Sequence, residues 1–181
     1  MQKTWEILQA EFPFLYYHVY MKKTLQQTIT DALSHHTGAI TVLKTLDRGL
    51  TSVFYALYPM LVLYVFLQKH PLRWRMLLIP GISFVLVSAF RHIVNRSRPY
   101  ENGIIPLWQK DREGHSFPSR HVFSASMIAM SILQVNSTAG FMLLVLAGVE
   151  GAIRVLAGVH YCSDVAAGWI IGVVCGFMYW L

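Results

Sequence analysis

The sequence predicts an all-α protein: a multi-span transmembrane helical bundle of five to six spans, preceded by N-terminal interfacial helices. Three observations predict it. Of 181 residues, 55% are hydrophobic and only 13% charged, against about 25% charged in a soluble domain. The mean hydropathy is +0.45. The chain also contains uncharged runs long enough to cross hydrocarbon, for which roughly 20 residues suffice at a rise of about 1.5 Å each. Composition this apolar excludes a disordered chain, which needs low hydrophobicity and high charge. It also excludes a nucleic-acid partner in spite of the pI near 9.5, because a basic stripe needs a polar scaffold to carry it. The partner implied is the bilayer, with localisation as a multi-pass protein of the cell membrane.

The elements follow in order. Ile7 to Met21 is aromatic and apolar, interrupted by Glu11 and Pro13 and closed by Lys22-Lys23. It is short for a span, and its rings suit the headgroup layer. Leu25 to Leu46 mixes polar and apolar residues and reads as a second surface helix. Residues 1–47 are therefore an N-terminal interfacial region, one of whose helices supplies the sixth span if it crosses. Nothing in it has the charged n-region, apolar core and cleavage site of a signal peptide. Residues 48–181 form the transmembrane domain. Gly49 to Gln68 is uncharged and long enough to cross, with Pro59 tolerated as a kink. Met76 to Phe90 is the second span, with Arg73, Arg75 and Arg91 snorkelling from its ends. Val122 to Val149 is too long for one crossing and splits at the turn-prone stretch from Gln134 to Gly140. Val165 to Leu181 is the last, its Ala167, Gly168, Gly172 and Gly176 spaced for close helix packing. Cys162 and Cys175 on that helix are about 20 Å apart, too far for a disulfide.

The residues that do not belong in a membrane carry the functional signal. Arg91, Arg96 and Arg98 close the second span. Ser119, Arg120 and His121 open the third. Arg154 closes the fourth, and His160 and Asp164 open the fifth. Alternating helix direction puts all three clusters at one membrane face, and ionisable groups there are costly unless functional. Arginine forks match phosphate oxygens in pairs. A helix start at Pro118-Ser119 offers free backbone N–H groups to an anion. His160 and Asp164 stand one helical turn apart, so the carboxylate can orient the imidazole. His121 is available as a general acid. Together these describe phosphoryl transfer through a phosphohistidine. Taken singly, each has a blander reading: arginines anchor membrane helices, and His-x-x-x-Asp is often a structural hydrogen bond.

Order and spacing decide between the two. Arg91-x6-Arg98-Pro99, Pro118-Ser119-Arg120-His121 and Arg154-x5-His160-x3-Asp164 resemble the three signature motifs of the type 2 phosphatidic acid phosphatase (PAP2) superfamily: Lys-x6-Arg-Pro, Pro-Ser-Gly-His and Ser-Arg-x5-His-x3-Asp. Three positions depart from the pattern. Arg91 stands for its lysine, Arg120 for its glycine, and Ile153 for its serine. The resemblance implies His160 as nucleophile, Asp164 as the group that holds it, and His121 as proton donor to the leaving group. It implies Arg91, Arg98, Ser119 and Arg154 as phosphate-binding, and Arg120 adds a cation beside them. It implies no cofactor, and no Cys/His spacing suggests a metal.

Glu150, four residues before Arg154, is expected to pair with it. Glu101, Lys110, Asp111, Arg112, Glu113 and His115 form a solvated rim, and His92 points away from Arg91. The connector from Gln68 to Met76 carries Lys69, Arg73 and Arg75 and no acid, so it is cytoplasmic and the site extracytoplasmic. The expected activity is hydrolysis of a lipid phosphate or diphosphate: undecaprenyl diphosphate, phosphatidylglycerol phosphate or phosphatidic acid. A non-catalytic transporter or scaffold would explain the hydrophobicity but not the three arginines and two histidines at this spacing.

Overall fold

The computed structural model describes residues 25–108 and 113–181. The expected interfacial segment from Ile7 to Met21, and Lys110, Asp111 and Arg112 of the rim, lie outside them. The described residues contain no strand. Helical residues 25–34 (α1) are followed by α2 (Thr37–Leu67), α3 (Arg73–Val94), α4 (Arg120–Leu133), α5 (Ser137–Leu156) and α6 (Cys162–Gly176). Short 3-10 turns cover Pro99–Asn102 and Phe177–Trp180.

Among the described residues, four helices are long and apolar enough to cross a bilayer: those beginning at Thr37, Arg73, Ser137 and Cys162. The third expected span, α4, has only 14 residues, about 21 Å of helix. It is instead the axis of the bundle. It packs against α2, α3, α5 and α6, and nine of its residues, from Val122 to Ser131, are buried. A helix so enclosed by its neighbours does not itself have to match the hydrocarbon thickness.

Local chemistry explains each boundary. The α4–α5 turn falls where the sequence places it. Asn136 caps α5 by accepting from the Ala139 N–H at 2.9 Å, which satisfies one of the helix's open donors. Pro80 inside α3 frees the carbonyl four residues earlier, and the Tyr58 hydroxyl of α2 donates to that Met76 carbonyl at 3.2 Å. The first long helix starts at Thr37, well before the uncharged run at Gly49, so Lys44, Asp47 and Arg48 lie within it. Asp47 is buried there because it has a cationic partner. Helical residues 25–34 lie over the end of α5. Gln26 donates to the carbonyls of Val155 and His160 at 3.0 Å each, and Thr30 donates to Leu156 at 3.3 Å. The open carbonyls at the end of a helix need such donors.

The glycines of α6 are the reason it lies so close to α4. A Cβ on Gly168 would stand 2.5 Å from the Ser119 carbonyl oxygen, one on Gly172 2.8 Å from that of Phe123, and one on Gly176 2.5 Å from Met130 Cβ. The outer surface is apolar. Leu63, Leu67, Val85, Leu86, Ile93, Phe141 and Met142 are all more than 60% exposed, a covering that suits lipid rather than water. Gly172→Leu is expected to cost about 1–3 kcal/mol by overpacking, read as a lower midpoint of denaturation in detergent. Gly148→Leu, where a Cβ meets nothing within 4 Å, should leave the midpoint unchanged.

Candidate active site

One end of the bundle gathers the end of α3, the starts of α4 and α6, the end of α5 and the first third of α2. The expected convergence of the three clusters is what the structure shows. Asp164, in the first turn of α6, is wholly buried. Its Oδ2 accepts from Ser116 Oγ at 2.6 Å and from the Tyr161 N–H at 3.0 Å. Its Oδ1 is held by Arg96 at 2.7 Å, and its backbone carbonyl takes the Ser119 N–H at 2.8 Å. A buried carboxylate needs such a full set of partners.

His160 lies in the loop between α5 and α6, 1% exposed. Its Nδ1 is 3.5 Å from Asp164 Oδ2 and 3.3 Å from Ser116 Oγ. Burial pushes the imidazole down to about 4 from its ordinary 6.5. The hydrogen bond to Asp164 works against that, and the Arg98 and Arg154 cations reinforce it. The ring is thus neutral at physiological pH. With its Nδ1–H directed at the carboxylate, the lone pair is on Nε2, the atom a nucleophile needs.

The arginines fall into two groups. Arg91, Arg98 and Arg120 line a cavity of about 520 Å³ with Ser88, His92, Glu113, Gly114 and His115. Arg91 donates through Nη2 to the His115 carbonyl, and Arg98 Nε donates to that of Gly114 at 3.0 Å. Two cations thus fasten the loop that carries Ser116 to His160. Glu101 braces the same loop, accepting from the Arg98 and Gly114 N–H groups at 2.9 and 2.7 Å. Arg120 lies over the Phe84 ring, 5.4 Å from its centroid. Arg154 stands apart from this group, buried against α2. Its Nη2 is 3.2 Å from Glu150 Oε1, 3.0 Å from Asp47 Oδ1 and 3.0 Å from Thr51 Oγ1. The expected Glu150–Arg154 pair therefore forms, and a second carboxylate joins it.

Five buried side-chain atoms at this end have no hydrogen-bond partner among the described residues: the acceptors Asp47 Oδ1 and Glu150 Oε2, the hydroxyls of Ser88 and Ser119, and the donor Arg154 Nε. Such a group costs about 1–3 kcal/mol, a cost removed for a donor when an anion supplies the acceptor. His121 faces α2, its ring 6.5 Å from that of Tyr55. It lines a small hollow there with Thr51, Ser124 and Glu150, away from the arginine-lined cavity. His92 and His115, read from the sequence as outward-facing and rim residues, stack edge to face at 4.3 Å in the cavity wall. Ser116, Asp47 and Thr51 were not expected in the site, and Arg96, expected there with Arg91 and Arg98, contacts Asp164. For Ser116 the signal was its place in the stretch just before Pro118, and for Asp47 an acid adjoining a span.

Comparison with known proteins identifies the family. The PAP2 superfamily matches residues 72–181. The chain is 40% identical over 67 residues to the bacitracin transport permease protein BcrC of Bacillus licheniformis, which covers 36% of this chain and 33% of that protein. It is 23% identical over 151 residues to the undecaprenyl-diphosphatase BcrC of Bacillus subtilis, 81% of this chain and 77% of the relative. The chain thus spans a third of the first relative and about three quarters of the second. In fold it resembles the crystal structure of LpxE from Aquifex aeolicus, with a TM-score of 0.68 and 24% identity over 87% of this chain and 93% of that one. It also resembles a transmembrane PAP2-type phosphatidylglycerolphosphate phosphatase from Bacillus subtilis, with a TM-score of 0.51 and 22% identity over 90% and 94%.

The lowered pKa of His160 has a measurable sign. Between about 6.5 and about 4 the unfolded chain binds a proton the folded chain refuses, so stability falls as pH drops through that window. Nitrogen NMR of histidine-labelled protein should show a neutral His160 ring at pH 5.5; a midpoint near 6.5 would contradict the environment described. The match over residues 72–181, more than half of the chain, shows that it belongs to the PAP2 superfamily, a family of phosphatases.

Proposed function

We propose that this protein is an integral membrane lipid phosphatase that hydrolyses a lipid phosphate or diphosphate through a phosphohistidine intermediate at the extracytoplasmic face. One observation carries the reading. A buried, neutral His160, oriented through Nδ1 by Asp164 and Ser116, stands at the end of the bundle where five arginines collect. In the first step His160 Nε2 bonds to phosphorus as the bond to the leaving oxygen breaks, and His121 gives that oxygen a proton. In the second, water gives a proton to His121 as its oxygen attacks the phosphohistidine, the P–N bond breaks, and inorganic phosphate leaves with His160 and His121 both restored. Arg91, Arg98, Arg120 and Arg154, with Ser119, bind the phosphoryl oxygens and neutralise their charge as it develops. Delivery of the His121 proton needs its ring to turn from Tyr55 toward the leaving group when substrate binds, as catalytic contacts often tighten only then.

The substrate class follows from the surroundings. The relatives include an undecaprenyl-diphosphatase and the fold neighbours a phosphatidylglycerolphosphate phosphatase. Both names join a phosphate to an apolar tail, which suits a cavity at the end of a lipid-facing bundle. We take undecaprenyl diphosphate, phosphatidylglycerol phosphate and phosphatidic acid as the substrates to compare. The basic connector after α2, with Lys69 and Arg73 and no acid, lies at the opposite end from His160. The positive-inside rule puts that connector in the cytoplasm and the site outside.

Phosphate release from these three lipids in detergent, in the presence of a chelator, tests the reading. Release should persist with the chelator, be inhibited by vanadate, and fall at least about a thousandfold in His160→Ala. Release at the wild-type rate by that variant would remove His160 as nucleophile. Turnover of none of the three lipids would favour the transporter or scaffold.

A further inference from the structure

The motif arginine of the third cluster is held from outside the family segment. Arg154 is 4% exposed, and the groups around its Nη2 are Glu150 at 1% and Asp47 at 7%. Asp47 Oδ1 lies 3.0 Å from Nη2 and Glu150 Oε1 3.2 Å. Thr51 Oγ1 accepts from Nη2 at 3.0 Å and donates to Glu150 Oε1 at 2.9 Å. Asp47 and Thr51 are one helical turn apart on α2 and precede the matched residues 72–181. One nitrogen of the guanidinium is thus surrounded by three oxygens from two helices: Thr51 Oγ1 and Glu150 Oε1 accept hydrogen bonds from it, and Asp47 Oδ1 is held by charge alone. Nε, on the same planar group, is buried without a hydrogen-bond partner among the described residues, as is Glu150 Oε2.

A guanidinium is rigid and planar, so fixing one nitrogen fixes the direction of the others. We propose that Asp47, acting with Thr51 and Glu150, is a positioning residue for phosphate binding: it fixes Arg154 by Nη2 and leaves Nε to donate to a phosphoryl oxygen. This rests on the reading of Arg154 as a phosphate ligand. It gives α2 a part in the site that none of the three motifs contains. It also explains why two carboxylates lie beside a phosphate-binding arginine, where their charge alone would oppose an anion. They orient the fork, and the remaining cations, Arg91, Arg98 and Arg120, supply the attraction.

The test is a double-mutant cycle read by inhibition with inorganic phosphate, using the full-length protein in detergent. Arg154→Ala and Asp47→Ala are each expected to weaken phosphate inhibition about tenfold, and Asp47→Asn, which keeps an oxygen for Nη2, about threefold. In the Arg154→Ala background neither Asp47 variant should weaken it further, because Asp47 acts only through Arg154. Arg48→Ala, exposed on the same helix, should match wild type. A thermal melt confirms folding, and Asp47→Asn carries the cycle if Asp47→Ala does not fold. Wild-type inhibition in the Asp47 variants, or a loss that persists in the Arg154→Ala background, would overturn the positioning role. Unchanged inhibition in Arg154→Ala alone would instead overturn the reading of Arg154 as a phosphate ligand, and the positioning role with it.

Discussion

The carboxylate of Asp164 is the interaction on which the rest of this end of the bundle depends. A charge with no exposure to water persists only if its neighbours supply what water would have supplied. Here they come from every side: Arg96 from beyond α3, Ser116 from the loop before α4, Tyr161 and His160 from the turn before α6. The Ser119 N–H on the carbonyl of the same residue fixes the start of α4 as well. Removing the charge would release three chain segments at once. The glycines of α6 belong to the same constraint, since only a side-chain-free face lets α6 approach the first turn of α4 closely enough for that backbone bond.

Much of this was legible in the sequence, and the reason is physical. Spans are read from the length of uncharged runs, because hydrocarbon penalises charge and fixes thickness. The α4–α5 turn was visible because Asn136 and Gly140 leave a local signature. The convergence of Arg98, Ser119, His160 and Asp164 followed from helix alternation alone. What escaped was everything decided by long-range pairing. The reach of α2 back to Thr37 was hidden because Lys44, Asp47 and Arg48 look like the end of a span, whereas Asp47 is inside one, paired with an arginine 107 positions later. Arg96 was read only as one of the arginines that close the second span, because nothing local marks its contact with Asp164. The direction of His121 was equally illegible. Its neighbour Arg120 lines the open cavity, and one position on a helix turns the next side chain by about 100°, toward Tyr55.

The distribution of charge now has an account. Of nine acids in the chain, Asp47, Glu150 and Asp164 are buried at the site end, each against an arginine. The site is therefore not a simple cluster of cations. It is a mixed lattice in which carboxylates aim the guanidinium groups and the histidine. Arg91 and Arg98 are partly committed to backbone carbonyls of the loop from Gly114 to Ser116. The same two side chains that line the open cavity thus also shape its wall.

Helical residues 25–34 carry a last consequence. Gln26 and Thr30 close the carbonyls of Val155 and Leu156, and Gln26 also holds the backbone of His160. These residues lie before the stretch that the family shares, yet they terminate the helix from which the reactive loop departs. Homology and mechanical completeness thus have different borders in this chain. The matched segment, residues 72–181, holds His160, Asp164 and the arginines of the proposed site, and the residues before it add Gln26, Thr30, Asp47 and Thr51 to their frame. A graft that moved the family segment alone would transfer the chemistry without its clamp.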